Sequence, residues 1–386
     1  MRREAAIVAD AVSALIGNGC VIDARNKCSL GWWIFSSFEI TCKGVKFNVE
    51  KVQTFKSLFI NEFRPGHSAQ KIENTIVYHY TGACSLLSIL ENECVRFSDI
   101  RYMNDRSETI FFVKRLIEFI TENGDQHPFF RDVVNQLLAE NDYDQILDLS
   151  IDKIKYKDIP GLKMQAQRAF IFCTCDEPDL LNMWNYYASS GTYTGYNIGL
   201  SVINFLKTFD VEQVGTMESF IVYYGHVLYT KKQQFEEIKS LAKEIDKYSL
   251  FDSIAQGISH ATVTIRQYIE TRGPFFKNDS FRAEKEYRFL FSIANDRIPH
   301  SDKDANKYFG KYNKKLCEGF CERRGVIVPY MQVAIPENSI SRITMSPMME
   351  YEIAKSSIKE LLKVKGILGT NKTEVPIFKS KIPIRF

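Results

Sequence analysis

Apolar and polar positions change period along the chain, and the changes mark its elements. Residues 1–70 stand apart: Trp32, Trp33, Phe35 and an alternating run over Phe38–Phe47 predict a small element that is partly β. The turn-like Arg64–Ser68 closes it. A strand over Thr75–Thr81, a helix over Cys84–Asn92 and a strand over Cys94–Ser98 come next, then a polar loop at Asp99–Asp105. Ile110, Val113, Ile117 and Ile120 recur at helical spacing within Ser107–Thr121, and Pro128–Asp158 reads as a second, acidic helix. Residues 106–165 therefore read as a helical insertion. Ala169–Thr174 is apolar at both parities, as expected of a central strand.

A short helix over Pro178–Ala188 and strands over Gly195–Val202 and Ser219–Tyr229 follow. Residues 231–272 form a second helical insertion. Strands at Glu284–Ile293, Val326–Val328, Gln332–Ile335 and Ile340–Met345, a helix at Met349–Val364 and a strand at Val375–Phe378 complete the pattern. Strands in sequence-adjacent pairs, interrupted by helices, predict an α+β fold. With no GxGxxG and no GxxxxGK[ST], a Rossmann or P-loop reading has no support.

Composition is that of an ordinary globular chain: 386 residues, 45% hydrophobic and 25% charged. No apolar run approaches the length of a membrane span, so no membrane partner is expected. The N-terminal stretch fits a short amphipathic helix better than a signal peptide. Nine cysteines without paired CxxC arms predict reduced thiols, a cytoplasmic location and no structural zinc. The net charge of +3 conceals a split. Residues 73–160 carry 16 acidic and 9 basic side chains, whereas from Lys355 onward 8 basic side chains face Glu360 and Glu374. That polarity is either a solvated accident or a field that aims an anionic ligand at one face.

Four segments carry candidate chemistry. In Tyr78-His79-Tyr80-Thr81, strand alternation puts His79 and Thr81 on one face. The pair could hydrogen-bond a ribose or phosphate, or His79 could be a satisfied strand histidine. Asn104 and Asp105 with Glu108 read as a helix cap or as part of a ligand or metal site. Trp184 and Tyr187, three residues apart, could share a helix face and stack on a heterocycle, or fill the core. Glu284, Glu286 and Arg288 alternate along a strand pattern, offering two carboxylates to a cleft or a plain ion pair. Lys277, with Arg272 and Arg282, would suit an anionic substrate. Lys307, Lys311, Lys314, Lys315, Arg323 and Arg324, interleaved with Tyr308, Phe309, Tyr312 and Phe320, would suit single-stranded nucleic acid or form an amphipathic helix surface.

These segments, in this order, resemble a bacterial family of unknown function found in phage-defence and toxin–antitoxin settings. The shared pattern is Tyr78–Thr81, Asn104/Asp105/Glu108, Met183/Trp184/Tyr187, and Lys277 with Glu284/Glu286/Tyr287/Arg288, closed by an S-x-I-P-x-R tail at Ser380, Ile382, Pro383 and Arg385. The resemblance covers residues 75–386. A second resemblance, to ADP-ribosyltransferases of the His–Tyr–Glu type, implies a mixed or antiparallel split sheet with helical insertions, residues 71–386 forming the catalytic domain. It implies NAD as substrate: His79 and Thr81 on the ribose, Tyr187 or Trp184 on nicotinamide, Lys277 and Arg288 in the binding site. Glu286 would be the catalytic carboxylate and Glu284 the acceptor-orienting one. The acceptor would be a nucleic acid (RNA or DNA) or a protein, and an antitoxin partner is expected. The competing expectations are a metal-dependent nuclease using His79, Asp105, Glu108, Glu284 or Glu286, and a non-enzymatic sensor or antitoxin acting through residues 1–70.

Overall fold

A computed structural model of the chain describes strands at 20–23, 38–42, 45–49 and 60–63. From residue 75 onward it describes all but 104–106, 141–166, 189–192, 210–219, 302, 305–315, 324 and 385–386. Two compact units result: Met1–Asn61 with Tyr156–Met164, and Glu62–Lys155 with Gln165–Phe386. In the first, β1 (Cys20–Asp23), β2 (Phe38–Cys42) and β3 (Val45–Val49) form an antiparallel meander. The alternation over Phe38–Phe47 thus folds back as a hairpin. Trp32, Trp33 and Phe35 lie outside the described residues. A short strand, β4 (Ile60–Phe63), lies at the sequence boundary.

The second unit is built on one mixed sheet. Its strands are β5 (Ile76–Thr81), β6 (Cys94–Asp99), β7 (Gln167–Cys175), β8 (Tyr196–Ser201), β9 (Phe220–His226), β10 (Glu286–Ala294), β11 (Cys317–Arg323), β12 (Val326–Ala334), β13 (Ile340–Met345) and β14 (Ile377–Lys379). They hydrogen-bond in the order β11-β12-β6-β7-β5-β8-β13-β14, with β10 on β7 and β9 on β10. Only β13 and β14 run parallel among these pairs.

The sheet forks at β7. One edge of β7 pairs with β10 along all nine residues of that strand. The other edge serves two partners: Ile171 and Phe170 meet β6, and Cys175 meets Tyr78 of β5. Between those contacts the edge is open. Two side chains brace the fork. Nδ1 of His79 lies 3.3 Å from the Cys173 carbonyl inside it. On the β6 branch Arg168 donates to the buried Asp99 at 2.8 Å and pairs with Glu318 of β11 at 2.6 Å.

Each face of the sheet has its own core. Ala169, Ile171 and Leu290 face α2 (Ser107–Asn123), α3 (Pro128–Glu140), α4 (Lys231–Asp246) and α5 (Ile254–Thr271). In α2 the buried stripe is Phe112, Val113, Leu116, Phe119 and Ile120, with Ile117 at its margin. The predicted amphipathic face is therefore rotated slightly toward the phenylalanines; the Ile110 side chain lies outside the described residues. The other face is aromatic: Phe172, Phe205, Phe289 and Tyr224 pack with ring centroids 5.1–6.4 Å apart. Every residue of β10 is buried, as a strand covered on both faces requires. α1 (Ala83–Asn92) and α6 (Tyr351–Lys365) complete the unit. Among the described residues no helix is long and apolar enough to cross a membrane.

Three expected elements differ. Pro178–Ala188 is not one helix: a single turn at Leu181–Met183 widens into a π turn at Trp184–Ala188. The two strands expected within 326–335 are one, β12, and its hairpin partner β11 takes Phe320 and Arg323. Those two residues therefore alternate on a strand and belong to no amphipathic helix. The remaining aromatic and basic residues of that proposed surface, Lys307–Lys315 and Arg324, lie outside the described residues.

Phe289 is fully buried between Phe172, Phe205 and Tyr224. Phe289→Ala is expected to cost about 3–5 kcal/mol, from lost apolar burial and the cavity left behind. Urea unfolding followed by circular dichroism measures it.

Candidate functional site

The site forms where β10 begins. Asp279–Glu284 is a 3₁₀ turn, and Lys285 takes a left-handed conformation at φ 46° to redirect the chain into β10. Glu284 thus precedes the strand, and the pleat does not align it with Glu286 as the alternating pattern predicted. A shared cation does. Nζ of Lys277 donates to Oε2 of Glu284 at 2.6 Å and to Oε1 of Glu286 at 3.2 Å. The other oxygen of Glu286 accepts from Nε of Arg288 at 2.6 Å, and from its terminal nitrogen. The Arg288 guanidinium also donates to the Pro274 carbonyl. All four residues are buried, at 7% exposure or less.

The surroundings fix this quartet. The backbone N–H of Glu286 donates to the Tyr229 hydroxyl at 2.9 Å. The fully buried Gln234 amide donates to the carbonyls of Leu228 and Lys277 at 2.7 and 3.0 Å, locking the chain that carries Lys277. The Phe281 ring centroid lies 4.8 Å from Nζ of Lys277.

The two carboxylates are driven apart electrostatically. Burial pushes Glu286 up, but Arg288 and Lys277 outweigh it and hold the group below its ordinary value. Burial pushes Glu284 above its ordinary value; Lys277 opposes the rise and Glu286 adds to it. Glu286 is thus the fixed anion, and Glu284 is the member that exchanges a proton more readily.

Tyr187 supplies the accessible surface. The residue is 44% exposed. Its hydroxyl is pushed above its ordinary value by burial, with Glu284 and Glu286 adding to the shift. The ring therefore reaches solvent while the phenol stands in the field of both carboxylates. The backbone explains its position. The Trp184–Ala188 turn packs on Tyr78, Tyr80 and Cys175. Gly195 lets the turn approach: a Cβ there would stand 2.6 Å from that of Ala188 and 2.7 Å from the Thr81 carbonyl.

Several sequence-based assignments need correction. Trp184 is fully buried; its indole donates to Asp179 at 2.7 Å and its ring sits edge-on to Tyr80, so it cannot stack on a ligand. Arg288 is fully buried and committed to Glu286 and Pro274, and Lys277 is committed to both glutamates. Neither offers a cation to an anionic substrate. Thr81 does share the face of His79 by strand alternation, but it is buried.

His79 stands apart from the quartet. Cross-strand partners share a face, and Cys175 is partnered by Tyr78 on one side and Glu286 on the other. Tyr78 therefore shares the Glu286 face, and His79 points to the opposite one with β7 between. Its ring packs against Phe172 at 4.8 Å. Burial lowers its pKa to about 4, against the opposing bond to the Cys173 carbonyl, so the imidazole is neutral at physiological pH. Since a carbonyl only accepts, Nδ1 carries the proton.

Asn104 and Asp105 lie outside the described residues, as does the side chain of Glu108. Among the described residues no three His, Cys, Asp or Glu side chains converge to hold a metal ion. Sequence reasoning missed Tyr229, Gln234 and Asp179, whose roles depend on contacts across 57, 43 and 201 residues.

Residues 183–289 match the model of a protein family of unknown function, DUF2971. The match begins at Met183 and ends at Phe289, so it contains Tyr187, Lys277, Glu284, Glu286 and Arg288 and excludes His79. No curated protein and no solved structure matches the chain.

Lys277→Met removes the cation shared by two buried carboxylates and is expected to cost about 3–5 kcal/mol at pH 8. Glu286, held low in the fold, adds stability above the unfolded carboxylate pKa and loses it as pH falls through its own lower value. Glu284, held high, costs stability at neutral pH, and that cost disappears as pH falls through its raised value. Without Lys277 both carboxyls move up. The gap between variant and wild type therefore narrows from pH 8 to pH 5, as urea unfolding at the two pH values would measure.

Proposed function

We propose that the chain is an NAD-dependent ADP-ribosyltransferase acting as a defence toxin in the bacterial cytoplasm. The supporting observation is the pairing of a solvent-reaching ring, Tyr187, with two buried carboxylates, Glu284 and Glu286, that divide into a fixed anion and a proton-exchanging acid. NAD is the substrate in this reading, and Tyr187 offers its ring to nicotinamide.

The reaction breaks the bond between ribose C1′ and the pyridinium nitrogen. Nicotinamide leaves with the bonding electrons, and positive charge develops on the ribose. A carboxylate fixed in a low-dielectric site stabilises that charge more strongly than it stabilises the ground state. Glu286 takes this role, oriented by Arg288 and Lys277. The acceptor nucleophile then bonds to C1′ and passes its proton to the carboxylate of Glu284. His79 and Thr81 take no part: they lie on the other side of β7, and His79 braces the fork.

The test incubates purified full-length chain with NAD labelled in its adenylate phosphate, together with RNA, DNA and protein. Label transfer and nicotinamide release are expected, and the recipient pool identifies the acceptor class. Glu284→Gln and Tyr187→Ala should each reduce transfer by about 10²-fold or more. Growth arrest on expression should be relieved in step. Absence of transfer to every pool sinks the reading; cleavage of nucleic acid without NAD, abolished by a chelator, replaces it with the nuclease.

A further inference from the structure

The closing S-x-I-P-x-R motif has no place in the chemistry above, yet the structure brings it to the turn that carries Tyr187. The contact converges on Asp179. Its Oδ1 accepts from the Trp184 indole at 2.7 Å and from the Ser380 hydroxyl at 2.7 Å. Its Oδ2 accepts from the backbone N–H of Lys381 at 2.7 Å. One carboxylate therefore ties the final segment of the chain to a residue three positions before Tyr187.

The tail is folded to make this contact. The N–H of Ser380 donates to the Met345 carbonyl at 2.8 Å, continuing the line of β14. The N–H of Ile382 donates back to the Ser380 hydroxyl at 3.1 Å. Ser380 is buried, and Ile382 packs on the cluster of Tyr78, Tyr80, Met183 and Trp184. The motif thus supplies a hydroxyl and an apolar knob at the two positions where the docking requires them. Arg385 lies outside the described residues.

The loop holding Asp179 is itself anchored to the sheet. The Tyr80 hydroxyl donates to the Glu177 carbonyl at 2.7 Å and accepts from the Leu180 N–H at 3.0 Å. Asn197 donates to the Pro178 carbonyl at 3.0 Å. Asp179 is therefore a fixed post, with the tail on one side and Trp184 on the other.

We propose that Ser380–Ile382 is a strap that completes the site, and that Asp179 is a positioning residue setting the place of Tyr187 through Trp184. The proposal rests on the transferase reading only in naming nicotinamide as the partner of Tyr187; the mechanical link stands apart from it. A carboxylate is needed because all three groups facing Asp179 are donors. In Asp179→Asn the amide keeps one acceptor and turns an N–H toward another donor, which releases either Lys381 or the Trp184–Ser380 side. Ser380→Ala removes the hydroxyl that both donates to Asp179 and accepts from Ile382. Ser380→Thr keeps it.

The experiment is hydrogen–deuterium exchange on the full chain, comparing wild type with Asp179→Asn, Ser380→Ala and Ser380→Thr. Amides of 381–382 and of 184–188 should exchange at least about 10-fold faster in the first two variants, while β10 amides hold their protection and Ser380→Thr restores wild-type rates. Faster exchange of the tail with unchanged protection over 184–188 would overturn the proposal, since the tail would then be docked without holding the turn. No change in either segment, or equal loss in β10, would overturn it too. If the transferase reading holds, the same two variants should raise KM for NAD several-fold more than they lower kcat. If that reading fails, the exchange result decides the strap by itself.

Discussion

A strand has one row of hydrogen-bonding groups per edge, and β7 must share one of its rows between β5 and β6. This constraint shapes the second unit. Two strands cannot occupy the same stretch of edge, so the sheet opens between Tyr78–Cys175 and Ser98–Ile171. A carbonyl that faces the gap does best with a donor inside it. His79 meets that need by presenting Nδ1–H to Cys173. The same placement partly buries the imidazole, and burial is what keeps it neutral, with its ring against Phe172. A histidine that looks catalytic in sequence is thereby part of the framework.

On the other edge of β7 there is no such ambiguity, and β10 follows it without interruption. That regularity lets the first residue of β10 carry a buried charge. Two acids and two bases removed from water gain little net stability from their attraction, because desolvation consumes most of it. Their value lies in position. Each oxygen of Glu286 has a cation beside it, one from its own strand and one from the loop before the 3₁₀ turn. The left-handed corner at Lys285 then places Glu284 on the same cation. Strand pairing thus determines the location of a carboxylate pair, and the corner determines how its two members differ.

The sequence pattern was sufficient for the α+β class, the first strand–helix–strand segment, the helices of Ser107–Thr121 and of 231–272, and the central character of β7; of the helix expected over Pro128–Asp158, residues 141–158 lie outside the described residues. Those depend on local periodicity. The grouping of Lys277 with Glu284, Glu286 and Arg288 was also visible, because all four lie within twelve residues. Three things were not. The face on which His79 points relative to Glu286 depends on the register of two separate strand pairings. The packing of the Trp184 turn against Thr81 and Gly195 depends on a close approach that a Cβ at 195 would block. The partners of Asp179 depend on residues some two hundred positions away. The period of a pattern gives a face, and only the pairing of strands says which faces coincide.

The docking of residues 380–382 on Asp179 also has a consequence in time. A chain is made from its N-terminus, so the turn bearing Tyr187 leaves the ribosome long before the hydroxyl and amide that complete its support. Until residues 380 and 381 have been made, Asp179 has neither the Ser380 hydroxyl nor the Lys381 amide to accept from. The site reaches its final form only when the closing segment has emerged and folded back. The order of synthesis thus separates the making of the aromatic turn from the completion of its support.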